Sequence, residues 1–386
     1  MPIREEGGYP RFSRGEMEAR RARLLALAEE HGCAHLVLYG ANRAGSAVPW
    51  LTGWPVTREA LVVVTPGERD VLLVQFRNHV PNARVLAPDA EVRWGGPSTV
   101  AAAAAILAER GAARSAVGVV GPLGRAEHEV LASAVGRVVP LDAGYTRLRL
   151  VKSPEEIEWT RVGAALTDRA VEALRERAGP GRTERELAAI VEEAYVAAGG
   201  TTHIHYLAST PMARPERCAP AQFPSGRTLQ PGDALLTEIS ASFWDYPGQA
   251  LRTFTVAADP TPLYRDLHDV AQAAFDAVLA RVRAGAHAVE LAEAASVIGE
   301  AGFTTCDDLV HGFVGGYLPP VLEGPSPERA PDMVLEAGMT IVIQPNVITP
   351  DGSAGVQTGE LVLVTPAGAE RLHRLPPGPF RIGDGT

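Results

Sequence analysis

Lys152-Ser153-Pro154-Glu155-Glu156-Ile157 divides this chain. Ser153 stands where a helix N-cap accepts from the backbone. Pro154 follows at the first helical position, where its missing N–H leaves no bond unmade. Glu156, three residues past the cap, can return a bond to the Ser153 amide. Apolar residues then recur at helical spacing, at Ile157, Val162, Ala165, Leu166, Ala170 and Leu174, which predicts a long helix. A helix start this strong predicts a domain boundary, with one domain over residues 1–150 and a second over 151–386.

Upstream, Ser13 followed by Glu16 is another capping signal, and Met17, Leu24, Leu25, Leu27 and Ala28 continue it as a helix. Short Val- and Leu-rich runs at 34–39, 60–65, 70–76 and 116–120, bounded by Pro or Gly, read as buried strands. Residues 100–110 and 127–134 read as helices, so the first domain is a small α/β layer structure. Downstream, Gly179-Pro180-Gly181 ends the long helix and a second is expected over 183–198. Strands are expected at 203–208, 234–244 and 249–256, helices at 263–282 and 288–301, and strands again at 339–347 and 356–364. Two helices, strands, two helices, strands is an α+β order with internal two-fold character.

The 386 residues are 46% hydrophobic and 21% charged, ordinary for a folded protein with substantial cores. A net charge of −10 argues against nucleic acid, whose binding needs a basic surface. No apolar run approaches the ~20 residues of a membrane span. The acidic start Met1-Pro2-Ile3-Arg4-Glu5-Glu6 lacks an apolar signal core, so the expected location is cytoplasmic. Cys33, Cys218 and Cys306 are too widely spaced for a disulfide framework or a metal-type pair. Lys152 is the single lysine and lies at the domain junction, a poor place for a Schiff base.

Several strings together resemble the creatinase, prolidase and aminopeptidase P superfamily, whose second domain has the pita-bread fold. They are Trp50-Leu51-Thr52-Gly53, the junction at Lys152–Ile157, Leu229-Gln230-Pro231-Gly232-Asp233, Tyr246 with Arg252-Thr253-Phe254, His311-Gly312, and Gly338-Met339-Thr340 through Gln344-Pro345 to Gly355-Val356. The resemblance implies an α+β pita-bread domain behind a smaller α/β domain of the creatinase type. It also implies a homodimer in which the partner's first domain closes the pocket; Arg43, Arg58 and Arg77 are candidates for that role.

Most members hold two divalent metals on two Asp, one His and two Glu. Carried over position by position, the first Asp falls on Glu238, fourteen residues before Arg252, and the second on Gln249, three before it. The His falls on His311, the first Glu on Gln344, and the second on Gly359, four after Gly355. A supporting histidine falls on Ala221, and another expected after the His-Gly pair has no counterpart between Val314 and Pro320. Two divalent ions need several hard carboxylate oxygens. Neutral amides and a glycine do not supply them, so neither metal nor any other cofactor is expected. Glu360 adjoins the lost Glu, but strand neighbours point to opposite faces unless a bulge intervenes.

Metal-free relatives such as creatinase imply the first functional reading, hydrolysis of a C–N bond in a small amide, amidine or lactam, in the manner of creatinase or ectoine hydrolase. Water then needs a general base and the leaving nitrogen an acid, work for which histidine is suited. His311 is the first candidate. His203 and His205, two apart on a strand, are expected on one face and are the reserves; the alternative is a polar strand face. His268 and His287 read as surface residues. Glu238 is the remaining acid, either the site of a cationic substrate group or the partner of Arg252 or of a protonated histidine. Gln249 and Gln344 suit a neutral amide or urea-like group. Tyr246, Arg252 and Glu360 complete the candidate substrate-binding set, although Asp245–Gly248 reads first as a turn. Cys218, between Arg217 and Pro220, is a weaker nucleophile candidate. Asp307 and Asp308 can orient His311 or cap its loop. The alternatives are a metal-dependent Xaa-Pro dipeptidase or aminopeptidase, and a non-catalytic binding protein on a pita-bread scaffold. All but the last take a small-molecule substrate.

Overall fold

Residues 3–383 are described by a computed structural model and divide into two compact units between Arg149 and Leu150. The first unit runs β1 (Arg4–Glu6), β2 (Tyr9–Arg11), α1 (Arg14–Glu30), β3 (His35–Ala41), α2 (Ala47–Thr52), β4 (Glu59–Val64), β5 (Val71–Val74), α3 (Val80–Leu86), β6 (Glu91–Trp94), α4 (Thr99–Glu109), β7 (Ala116–Val120), α5 (Arg125–Ala134), β8 (Arg137–Pro140) and α6 (Asp142–Leu150). Six strands form one mixed sheet, in the order β6-β5-β4-β3-β7-β8. Every residue of β5, and Ala60–Val64 of β4, is buried, which is why these segments read as unbroken apolar runs rather than as alternation.

The second unit opens with α7 (Pro154–Arg177), whose capping box from Ser153 to Glu156 is fully formed. Next come α8 (Glu184–Val196), β9 (Thr201–Pro211), β10 (Asp233–Phe243), β11 (Tyr246–Pro247), β12 (Ala250–Val256) and α9 (Pro262–Leu279). They are followed by α10 (Ala288–Ala294), α11 (Val297–Glu300), β13 (Thr304–Thr305), β14 (Val310–Phe313), β15 (Tyr317–Leu322), β16 (Thr340–Ile343), β17 (Val347–Ile348), β18 (Gly359–Val364), β19 (Ala369–Arg371) and β20 (Phe380–Ile382). The helix expected over 288–301 is two short helices. The principal sheet runs β11-β10-β12-β18-β16-β14-β15, with β9 on β10, β19 on β18 and β20 on β12.

Two apolar clusters hold helices to this sheet. One joins Leu166, Ala170 and Leu174 of α7 and Leu187, Ile190 and Tyr195 of α8 to Leu235, Ile239, Ala250 and Phe254. The other joins Leu267, Ala271 and Phe275 of α9 to Ile341, Ile343 and Val362. Each fully buried Leu, Ile or Phe contributes about 1.5–3 kcal/mol, so these faces fix which strand residues are free to line a site. His268 of α9, expected at the surface, is buried because it lies on the face of α9 that carries Leu267 and Ala271. No described helix is long and apolar enough to cross a membrane.

Candidate functional site

Register assembles the site. Leu251 pairs with Glu238 on one side and with Gly359 on the other, so these three form a row across β10, β12 and β18 on one face. On the same face Leu361, two residues beyond Gly359, pairs with Val342, and Val342 with His311. Gln249 and Gln344 lie just before β12 and just after β16, two residues from Leu251 and Val342. All four polar residues converge there. Gln249 Nε2 donates to Glu238 Oε1 at 2.9 Å and to Gln344 Oε1 at 3.3 Å. The Gln344 side chain in turn interacts with His311 and Tyr317.

The two titratable groups are pushed in opposite directions. Burial, reinforced by the nearby Asp307 charge, raises the Glu238 carboxyl to about 8. Burial lowers His311 to about 4, against the opposing pull of its Gly312 carbonyl contact, Gln344 and Asp307. At neutral pH the carboxyl is therefore mostly protonated and the imidazole neutral. Three atoms here are buried without a well-formed hydrogen bond: Gln249 Oε1, Gln344 Nε2 and His311 Nε2. Asp307 accepts from Asn346 Nδ2 at 3.3 Å and from the Asp308 amide at 2.8 Å, so it caps its own loop while its charge reaches the site.

Tyr317 was not among the expected residues. Its ring stacks on His311 with centroids 3.9 Å apart and planes 12° apart, and it remains 49% exposed. The available signal was Gly315-Gly316, a tight turn that folds Tyr317 back beside Phe313 and so beside His311. Phe313 is a second addition, in edge contact with both His311 and His203.

Several expected placements are corrected. His203 and His205 do not share a face. The β9–β10 register shifts between Ser240 and Ala241, leaving His203 as the extra residue of a bulge. His205 lies opposite Ile239 on the helix-packed face, its Nε2 2.6 Å from the Tyr195 hydroxyl. His203 faces Phe313. Arg252 does not pair with Glu238. It is fully buried on the opposite face, bonded to Glu360 at 2.7 Å and to the carbonyls of Gly359 and Pro376.

Glu360 lies on that same opposite face, paired with Arg252 and Arg371. Burial opposes its charge, but Arg371 and Arg252 outweigh it and hold the carboxyl below its usual range. No bulge turns Glu360 to the site, because it pairs with Ala250 while Gly359 pairs with Leu251. Tyr246 points away too, donating to Glu156 Oε1 at 2.8 Å. It packs where Gly163 lets α7 approach so closely that a Cβ would lie 2.1 Å from the Tyr246 carbonyl.

The positions that would carry two metals do not fit them. Gln249 and Gln344 are neutral and bonded to each other, and Gly359 has no side chain. A Cβ at Gly359 would lie 2.3 Å from the Ile343 carbonyl oxygen, so no longer residue enters that position without backbone movement. Among the described residues no three His, Cys, Asp or Glu side chains are grouped to hold a metal ion.

Residues 158–366, just over half the chain, match the model of metallopeptidase family M24. The chain belongs to that family. It is 32% identical to "Probable dipeptidase PepE" of Mycobacterium tuberculosis over 253 residues, 64% of each chain. It is 30% identical over 229 residues to "Xaa-Pro dipeptidase" of Pyrococcus furiosus, covering 59% of this chain and 64% of that one. The matches thus span just under two thirds of these relatives. The solved structure of dipeptidase PepE from Mycobacterium ulcerans superposes with a TM-score of 0.79 at 25% identity, covering 97% of this chain and all of that one. The relatives' names favour the peptidase alternative over the creatinase-type reading.

Proposed function

We propose that this chain hydrolyses a C–N bond of the peptide type in a small, dipeptide-like molecule, and does so without a two-metal centre. Dipeptidase names among the relatives support the bond class. The observation that carries the rest is the Glu238–Gln249–Gln344 hydrogen-bonded chain beside His311, with amides at the positions that the resemblance assigns to carboxylates.

In this reading the neutral His311 imidazole takes a proton from water as the water oxygen bonds to the carbonyl carbon. The protonated Glu238 carboxyl gives its proton to the leaving nitrogen as the C–N bond breaks. Environments that split two titratable groups in this way assign the base and the acid. Gln344 Nε2 is a donor for the developing oxyanion and Gln249 Oε1 an acceptor for a substrate N–H. Tyr317 and Phe313 hold the ring of His311 from its face and edge. Being neutral, the array favours a neutral amide over the cationic group that an ionised Glu238 would bind.

The test is a panel of Xaa-Pro and other dipeptides, N-acyl amino acids, lactams and guanidino acids, assayed for released amine with chelator present. Cleavage of a peptide-type amide is the expected result. Cleavage confined to guanidino compounds or lactams would restore the creatinase-type reading, and cleavage only with added metal would establish the metal-dependent peptidase.

A further inference from the structure

We propose that Cys218 and Cys306 form a reversible intramolecular disulfide that ties together the two sides of the candidate site. Eighty-eight positions apart in sequence, the two cysteine side chains lie within interaction distance of each other. The backbone brings their two segments into the same neighbourhood. The Cys218 carbonyl packs so closely on Gly355 that a Cβ there would lie 2.2 Å from it. Gly355 bridges Ile348, and Ile348 pairs with Thr304, two residues before Cys306.

The two cysteines also report on opposite sides of the site. The Cys218 segment continues to Ala221, which exchanges backbone hydrogen bonds with Leu207 of β9, the strand beside the one that carries Glu238. Cys306 precedes Asp307, whose charge acts on both Glu238 and His311, and lies four residues before the strand that carries His311. A covalent link would fix these segments to each other.

The chemistry balances with a peroxide as oxidant. One thiol takes an oxygen from hydrogen peroxide to become a sulfenic acid, releasing one water. The other attacks that sulfur, forming the S–S bond and releasing a second water. Two thiols lose two protons and two electrons, and the peroxide is reduced to water. A dithiol reverses the reaction by exchange. Partial desolvation of its sulfur, then the nearby Cys218 and Asp307, push the thiol of Cys306, an exposed residue, up to about 11, so its own reaction with peroxide accelerates as pH rises. Cys33 belongs to the first unit, buried with its Sγ 3.7 Å from the His31 carbonyl, and is not part of the pair.

The experiment treats the full chain with hydrogen peroxide at mildly alkaline pH and reads intact mass, thiol alkylation and a non-reduced peptide map. The expected product is lighter by two hydrogens, retains one alkylatable thiol of three, and yields a peptide linking Cys218 to Cys306. Cys33→Ser closes equally, whereas Cys218→Ser and Cys306→Ala do not, and dithiothreitol restores all three thiols. Hydrogen exchange of residues 212–228 and 303–311 slows in the oxidised form. Three thiols retained, oxygen addition without linkage, or a bond to Cys33 or to a second chain would overturn the proposal. None of these readouts depends on the substrate.

Discussion

Gln249, just ahead of the strand that pairs with Glu238's, donates to Glu238, Nε2 to Oε1 at 2.9 Å, at the place where the metallopeptidases of this family are expected to pair two carboxylates across a metal. An amide carries no charge with which to hold the Glu238 proton off. Burial therefore decides the protonation of Glu238, and the acid form prevails at neutral pH.

That protonation is visible in stability. The folded Glu238 carboxyl, at about 8, lies above its unfolded value of 4.5, so the folded state binds the extra proton. Its contribution is fully present below pH 4.5 and is lost as pH rises to about 8, at up to ~1.4 kcal/mol per pH unit. Glu238→Gln abolishes this alkaline loss and is more stable than wild type at pH 8. Urea titrations of both proteins from pH 5 to 9 measure it; parallel pH profiles would refute it.

His311 has the opposite sign. Its folded value of about 4 lies below 6.5, so its contribution is present above pH 6.5 and is lost as pH falls toward 4. His311→Gln loses less stability than wild type between pH 6.5 and 4.5. Urea midpoints over that window give the answer, and an acid limb as steep as wild type would count against it.

Arg252 and Glu360 hold the far face of the sheet. Arg252→Ala removes a buried cation bonded to Glu360 at 2.7 Å and is expected to cost about 3–5 kcal/mol. Removing Gln249 from the site face with Gln249→Leu is expected to impair turnover more than stability. Chemical denaturation and kinetics on both variants separate the two faces. A stable but inactive Arg252→Ala protein would return that residue to the site.

The bulge separates the two histidines of β9. His205→Ala loses a bond to Tyr195 and is expected to cost about 1–3 kcal/mol with turnover retained. His203→Ala is expected to do the reverse, raising KM. Equal rises in KM would mean that both face the substrate.

The parts of the fold that were legible in sequence carry their signal locally. Ser153, Pro154 and Glu156 announce α7 with side chains that bond their own backbone. The grouping of Glu238, Gln249, Gln344 and His311 followed from the family resemblance, which assigns these positions to one cleft. The partners of Arg252, Tyr246 and Glu360 were not, because opposing faces follow from register, which side-chain identity does not reveal. One bulged residue was enough to turn His203 and His205 to different sides. Tyr317 was hidden because its role depends on a hairpin that stacks it on His311. The Cys218–Cys306 pair was hidden because distant loops bring it together.

The central claim is peptide-type hydrolysis by Glu238 and His311 with amides at the metal positions. It is tested most directly by measuring bound metal and kcat on one chelator-treated sample, for wild type and His311→Ala, with the best dipeptide substrate. The account expects wild type free of stoichiometric Mn, Co, Zn or Fe to retain its kcat, and His311→Ala to lose ~10²–10⁴ of it, the worth of general acid–base catalysis. Activity that vanishes with the chelator and returns with one or two metal equivalents would contradict it.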